Sequence, residues 1–206
     1  MSKYINEALK NYPALEKCRS DIEKALAAMI ACYEGGGKIL CCGNGGSSAD
    51  CDHFVAELMK GFLKRRPLSE SEKAFFESGF VADGLQKGLP ALSLTSQSSL
   101  ITAFANDCEP SLIFAQQVYA LAAKGDLLLA FSTSGNSGNI VYALEAAAAK
   151  GITSIAITGE SGGKAAEKAA IAIKIPEKET YRVQELTLPV YHALAAETEE
   201  YFFKEA

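Results

Sequence analysis

Five short runs of apolar residues divide the chain, and stretches with helical spacing separate them. The runs are apolar at consecutive positions, whereas a strand exposed on one side would alternate between apolar and polar residues. Strands of this kind are covered on both faces, which is typical of a parallel sheet between two layers of helices. We therefore predict an α/β fold, a three-layer sandwich with a central parallel sheet, whose strands lie at residues 38–42, 91–95, 126–132, 153–158 and 170–175.

Helical patterns extend beyond the strands at both ends of the chain. Apolar residues recur at helical spacing over about residues 3–33, and the sequence EGGGK at 34–38 ends that pattern. Residues 180–203 also have helical character, although Pro189 lies among them. Residues 67–88 form an unusually long connection, and we treat them as an insertion within a single domain over residues 1–206. This insertion is either a lid over the functional site or an exposed insertion without such a role.

Composition narrows the classes of protein that this chain can represent. Its 206 residues suffice for one substantial core, and the net charge of −5 provides no basic face for binding nucleic acid. No apolar run approaches the ~20 residues that would span a membrane. The N-terminus lacks the apolar segment of a signal peptide, and the six cysteines lack the paired spacing of a metal site. We therefore expect a cytoplasmic protein that binds neither nucleic acid nor membranes.

Two loops rich in serine and glycine each follow an apolar run directly. We name them the first serine loop, GNGGSS at residues 43–48, and the second serine loop, STSGNSGN at residues 132–139. Glycines allow the backbone to approach a ligand, hydroxyls add donors, and the start of the following helix favours an anion. The absence of the GK[ST] sequence of a nucleotide P-loop favours the phosphate of a small molecule. The alternative is that these are ordinary turn residues.

The only two histidines of the chain each have a potential metal ligand nearby in sequence. His53 and Glu57 share one face of a predicted helix, for which residues 48–50 are candidate capping residues. Gln184 and His192 are eight residues apart, a rise of ~12 Å on a regular helix. Either a kink at Pro189 or a neighbouring subunit would then have to complete a common site. These four side chains suit Zn²⁺ or another divalent metal, although an isolated His–Glu pair is more often a surface hydrogen bond.

Several motifs together resemble the SIS (sugar isomerase) family, and within it the phosphoheptose isomerases. The resemblance extends over nearly the whole chain outside the insertion and keeps the order of the family's motifs. The motifs are GNGGSSADCDHFVAEL, the Asn106–Asp107 pair, STSGNSGN, the turn TGESGGK at 158–164, and RVQELTLPVYHAL. The family's arginine near Gly61 is missing, and Lys60, Lys64 or Arg65 would have to replace it.

The resemblance implies roles for particular residues. It makes His53, Glu57, Gln184 and His192 the ligands of one Zn²⁺, or another divalent ion, per subunit. It assigns substrate contacts to both serine loops, to the Asn106–Asp107 pair and to Gln184. It also implies a homotetramer with sites between subunits. The residues that would bind the sugar phosphate are Asn44, Gly45, Gly46, Ser47, Asn106, Asp107, Ser132, Thr133, Ser134, Ser137 and Gln184.

The activity implied by the resemblance is aldose–ketose isomerisation of a sugar phosphate. Sedoheptulose 7-phosphate would become D-glycero-D-manno-heptose 7-phosphate through an enediol, with Glu57 as the base, His192 as the acid and the metal polarising the carbonyl. Three alternatives remain open at this point. They are a non-catalytic SIS protein that binds a replication initiator, a module that senses a sugar phosphate, and an isomerase that acts on a different sugar phosphate.

Overall fold

The computed structural model describes residues 2–204, so residues 1, 205 and 206 of the predicted domain lie outside it. Five parallel strands form one sheet in the order β2-β1-β3-β4-β5. All five apolar runs form strands, as predicted. The strands are β1 (Ile39–Cys42), β2 (Ala91–Ser93), β3 (Leu127–Ser132), β4 (Thr153–Thr158) and β5 (Ile171–Lys174).

Helices account for most of the remaining chain. The N-terminal region contains α1, a 3₁₀ turn at Pro13–Cys18 and α2, and the C-terminal region is one long helix, α10. The helices are α1 (Lys3–Asn11), α2 (Arg19–Glu34), α3 (Gly46–Met59), α4 (Glu70–Lys73), α5 (Gly79–Gly84), α6 (Ser98–Asp107), α7 (Ile113–Leu121), α8 (Gly138–Ala149), α9 (Gly163–Lys168) and α10 (Thr180–Phe202). Among these described helices, none is long and apolar enough to cross a membrane.

Alternate residues of β1, β2, β3 and β4 enter two hydrophobic clusters on opposite faces of the sheet, and β5 contributes to one of them. In β3, Leu127 and Leu129 pack with α1, α2, α3 and α10, whereas Leu128 and Ala130 pack with α7, α8 and α9. Both sets of side chains are fully buried. This two-sided burial explains why the strands are apolar at consecutive positions, and it confirms the predicted three-layer sandwich.

The two ends of the insertion, residues 67–88, lie next to each other. Pro67 and Gln86 form an isolated antiparallel bridge, and the N–H of Lys87 donates to the carbonyl of Arg66 at 2.7 Å. Between these ends lie the short helices α4 and α5. Most of the segment is exposed, including the aromatic side chains of Phe75 and Phe80. The base of the segment lies beside the end of α3, where Gln86 accepts a hydrogen bond from the N–H of Gly61.

Candidate active site

The two serine loops leave neighbouring strands at the same edge of the sheet. β1 ends at Cys42 and β3 ends at Ser132, and Cys42 pairs with Ala130 in the parallel register. The first serine loop leads into α3 and the second into α8. Because parallel strands all end at one edge, the loops lie side by side, in the region where open α/β sheets bind ligands.

The first serine loop presents free backbone amides at the start of α3. Gly45 has φ 55°, a left-handed value that favours glycine, and Gly46 begins the helix. Within residues 2–204 the N–H groups of Gly45 and Gly46 donate no hydrogen bond, while that of Ser47 donates to the carbonyl of Asn44. Two free amides at a helix start suit an anion. The prediction that residues 48–50 cap α3 was wrong, because the helix begins earlier and these residues lie in its first turn.

The second serine loop is held partly by its own side chains. The N–H of Asn136 donates to Ser134 Oγ at 3.1 Å, which leaves the Ser134 hydroxyl proton free to donate. Ser137 is the residue that immediately precedes α8. The hydroxyl of Ser132 is buried and finds no hydrogen-bond partner among residues 2–204. The loop therefore retains hydroxyl donors that no residue in the described part of the chain uses.

The glycine-rich turn at residues 158–164 supports the second serine loop from the side. The N–H of Gly159 donates to the carbonyl of Thr133 at 2.9 Å, and that of Ala165 donates to the carbonyl of Gly135 at 2.8 Å. A Cβ atom at Gly135 would overlap the carbonyl of Gly162. This approach is possible only between glycines, which gives the TGESGGK motif a structural role.

Two side chains link the serine loops to each other and to α10. Asn44 and Asn139 exchange reciprocal amide hydrogen bonds of 2.9 and 2.8 Å across the two loops. Gln184 of α10 lies against the start of α3, where a Cβ atom at Gly46 would overlap Gln184 Nε2. The structure thus places both of these predicted substrate residues, Asn44 and Gln184, at the serine loops.

Two turns further along α3, a second group of polar side chains meets α10. We call His53, Glu57 and His192 the histidine–glutamate cluster. His53 Nε2 lies 3.3 Å from Glu57 Oε1, and the rings of the two histidines have centroids 5.0 Å apart. The other carboxylate oxygen, Glu57 Oε2, accepts a hydrogen bond from Lys60 at 2.9 Å. His192 Nε2 is buried and has no hydrogen-bond partner within residues 2–204.

Burial sets the protonation of the groups around this cluster. It lowers the pKa of His192, and the nearby His53 lowers it further, whereas Glu57 opposes the shift. The hydroxyl of Tyr191 lies 3.0 Å from His53 Nδ1 and 3.3 Å from Asp50 Oδ1. Burial raises the pKa of Tyr191, so its hydroxyl keeps its proton. Burial also raises the pKa of Asp50, an effect that the Tyr191 hydrogen bond opposes.

The predicted metal ligands are only partly brought together. Within residues 2–204, no three His, Cys, Asp or Glu side chains are grouped closely enough to hold one ion. His53 nevertheless lies close to both Glu57 and His192, and a buried imidazole nitrogen without a partner suits a divalent metal. Gln184 is ~12 Å from His192 along α10, which is assigned as one helix across Pro189. The donor types therefore fit a metal, and Gln184 lies apart from the other three.

The predicted substrate residues Asn106 and Asp107 hydrogen-bond to each other. The two residues end α6 and are exposed, and Asn106 Nδ2 donates to Asp107 Oδ1 at 2.8 Å. In the described part of the chain, no hydrogen bond joins either side chain to the serine loops or to the histidine–glutamate cluster. The assignment of this pair as substrate contacts therefore stays a prediction.

A cavity of about 320 Å³ reaches His192 from the side of α1. It lies between α1, α10 and the segment that follows α3, and neither serine loop contributes to its lining. Phe62 forms part of the wall, with its ring centroid 5.5 Å from that of His192. The apolar side chains of Tyr12, Leu63 and Leu188 also line the cavity and are exposed.

Comparisons with known proteins address the fold and the family. Two models described as SIS domain match residues 80–197 and 3–87. A phosphoheptose isomerase of Shewanella denitrificans is 42% identical over 184 residues, which are 88% of this chain and 84% of the relative. The chain belongs to the SIS domain family, among its phosphoheptose isomerases.

Solved structures of phosphoheptose isomerases have the same fold. Those from Neisseria gonorrhoeae and Francisella tularensis each match with a TM-score of 0.76 and 32% identity. The first comparison covers 97% of this chain and 96% of the other, and the second covers 95% and 96%. The predicted family and fold are thereby confirmed. Membership of this family is consistent with a metal-dependent enzyme that acts on a sugar phosphate.

The structure gives contacts at the site to residues for which the sequence predicted no such role. Asn139 bridges the serine loops, and Asp50 and Tyr191 contact each other beside His53. The position of Asp50, three residues before His53 on α3, was the one available signal, because it predicts a shared helix face. Among the candidate cations, Lys60 contacts Glu57, whereas Lys64 pairs with Glu200 at 3.0 Å.

Proposed function

We propose that this protein isomerises sedoheptulose 7-phosphate to D-glycero-D-manno-heptose 7-phosphate. The observation that carries the proposal is the position of Glu57, a buried carboxylate between His53 and Lys60 on α3, the helix that follows the first serine loop. A base in this setting suits proton transfer at carbon, and the loops suit a phosphate. The isomerase relatives support the assignment.

The spacing of the two groups suits a substrate that is reactive at one end and phosphorylated at the other. Gly46, at the first serine loop, and His53 are seven residues apart on α3, a rise of ~10 Å. An open-chain sugar phosphate held by its phosphate at the serine loops would extend its carbonyl end towards Glu57. This geometry supports a long sugar, in which the phosphate and the carbonyl are far apart.

The reaction moves one proton between two carbons and one between two oxygens. Glu57 removes a proton from C1 of the ketose and returns it to C2 of the enediol. His192 gives a proton to the oxygen on C2 and takes the proton of the oxygen on C1, so that the aldose forms with no net change in either side chain. The serine loops hold the phosphate throughout and keep the sugar in register with Glu57.

A divalent metal is part of the proposal, with His53, Glu57 and His192 as its nearest candidate ligands and Gln184 as the fourth. When bound, it would supply Lewis-acid polarisation of the carbonyl. A side chain bound to a cation is a weaker base, so Glu57 and His192 transfer protons only while free of the ion.

We also propose a single-domain subunit that forms a cytoplasmic homotetramer. One sheet shared by both hydrophobic clusters supports a single domain. The exposed apolar side chains around the cavity at His192 support subunit contacts there, which would complete a site that one chain leaves divided. Six free cysteines, five of them buried, suit a reducing compartment. Light scattering of the purified protein measures the number of subunits directly.

Incubation with sedoheptulose 7-phosphate tests the proposed activity. Formation of an aldose phosphate, followed by NMR or by a coupled assay, is the expected result, and a chelator should slow it if the ion takes part. Binding of the sugar phosphate without turnover would instead favour a sensing module. If the protein converts another ketose phosphate and not sedoheptulose 7-phosphate, the proposed reaction type holds and the proposed substrate is wrong.

A further inference from the structure

Tyr191 is fixed beside His53 by buried aromatic packing. Its side chain is 1% exposed, and its ring packs edge-on against Phe54 and Phe131, with centroids 6.1 Å away in each case. The hydroxyl contacts two side chains of α3, at 3.0 Å from His53 Nδ1 and 3.3 Å from Asp50 Oδ1. Because the ring is held in this way, its hydroxyl has a fixed position. The packing of the core therefore determines the contact with His53.

The number of available protons determines how these three groups are connected. A tyrosine hydroxyl has one proton to donate, and that of Tyr191 lies within hydrogen-bond distance of the carboxylate oxygen Asp50 Oδ1. The hydroxyl of Tyr191 therefore donates to Asp50 and accepts a proton from Nδ1 of His53. A neutral imidazole with its proton on Nδ1 has a lone pair on Nε2. His53 Nε2 lies 3.3 Å from Glu57 Oε1. Both atoms are then hydrogen-bond acceptors, and a proton or a cation between them would be stabilised.

We propose that Asp50 and Tyr191 form a relay that holds His53 in the tautomer with an unprotonated Nε2 directed at Glu57. Tyr191 is then a positioning residue, because it acts through His53 and not on the substrate. The role of the relay rests on the proposed function: it would prepare His53 as a metal ligand or proton acceptor at the site. The tautomer itself is a property of the folded chain and can be measured without substrate or metal.

Nitrogen-15 NMR of the two imidazoles tests the relay. In metal-free protein at about pH 8, where an ordinary imidazole is neutral, His53 should carry its proton on Nδ1. The chain has only two histidines, and a His192→Gln variant assigns their signals. Tyr191→Phe should shift His53 towards the Nε2-protonated form. Asp50→Ala should do the same, because the freed hydroxyl proton of Tyr191 would then point at Nδ1.

A matched control removes a tyrosine hydroxyl elsewhere. Tyr201 donates to Glu34 on the surface, away from both histidines, so Tyr201→Phe should leave the His53 tautomer unchanged. Zinc affinity, measured by competition with a chromophoric chelator, gives a second readout. Loss of an outer hydrogen-bond partner typically weakens metal binding by 10–100-fold, and Tyr191→Phe should fall in that range.

Two results would overturn the relay. One is an Nε2-protonated His53 in the wild-type protein, and the other is an unchanged tautomer in both Tyr191→Phe and Asp50→Ala. Equal zinc affinity in Tyr191→Phe and in the wild-type protein would contradict the role of Tyr191 in positioning His53. These outcomes are separate from those of the isomerase assay. The predicted tautomer in a protein that does not convert sedoheptulose 7-phosphate would contradict the proposed function and leave the relay intact.

Discussion

Lys60 donates a hydrogen bond to Glu57 across 2.9 Å, on the carboxylate oxygen that does not face His53. The Lys60 side chain is 55% exposed, whereas that of Glu57 is only 12% exposed. The ammonium therefore reaches inward from the surface to a carboxylate that the proposed reaction requires. Its positive charge would therefore compete with a metal ion for the same carboxylate.

Lys60→Met should strengthen binding of a divalent metal. Removal of a competing positive charge at an exposed pair is worth about 0.2–1 kcal/mol, which corresponds to roughly 1.4-fold to fivefold tighter binding. Chelator competition measures the change. Lys64→Met is the matched control, because Lys64 pairs with Glu200 and does not contact Glu57. Weaker binding in Lys60→Met than in this control would show that Lys60 supports the metal site.

Ser134→Ala should raise KM and leave kcat nearly unchanged. The Ser134 oxygen accepts from the N–H of Asn136, so its proton is free for the phosphate, and that contact is made equally in the ground and transition states. A hydrogen bond to a charged group contributes about 1.5–3 kcal/mol, so KM should rise by about tenfold or more. Ser99→Ala, at an exposed position of α6, serves as the control. A KM equal to that of the control would place the phosphate elsewhere.

Glu199→Gln should destabilise the fold at the end of α3. Glu199 is buried, pairs with the fully buried Arg66 at 2.8 Å, and accepts backbone hydrogen bonds from residues 62–64. Loss of one partner of a buried ion pair costs about 3–5 kcal/mol in the free energy of unfolding. Denaturant titration measures this change.

The neighbouring carboxylate offers the comparison for that measurement. Glu200 forms an ion pair with Lys64 nearer the surface, and its loss should destabilise the protein much less than the loss of Glu199. Similar losses in Glu199→Gln and Glu200→Gln would contradict the structural importance of the Arg66–Glu199 pair.

The fold was largely predictable from the sequence because the signals for it are local. Each strand is a run of apolar residues, and burial on both faces of the sheet requires such a run. The start of α3 was placed too late because its boundary depends on the backbone conformation at Gly45, which residue types alone do not determine.

The site was less predictable because its contacts join distant parts of the chain. Asn44 and Asn139 are 95 positions apart, and His53 and Tyr191 are 138 apart, so only tertiary packing brings each pair together. Helical rise predicted that Gln184 and His192 would be separated. In the structure both residues lie on the single helix α10, so the separation is present. The proposed roles of these residues stay predictions until they are tested.

The initial rate of aldose formation from sedoheptulose 7-phosphate, compared between wild type and Glu57→Gln, tests the central claim most directly. Loss of a general base should lower kcat by about 10²–10⁴-fold, while the folded structure and binding of the sugar phosphate persist. Glu185→Gln, at an exposed position of α10, should retain wild-type activity. Turnover by a folded Glu57→Gln variant at the rate of that control would contradict the account, because another group would then have to move the proton.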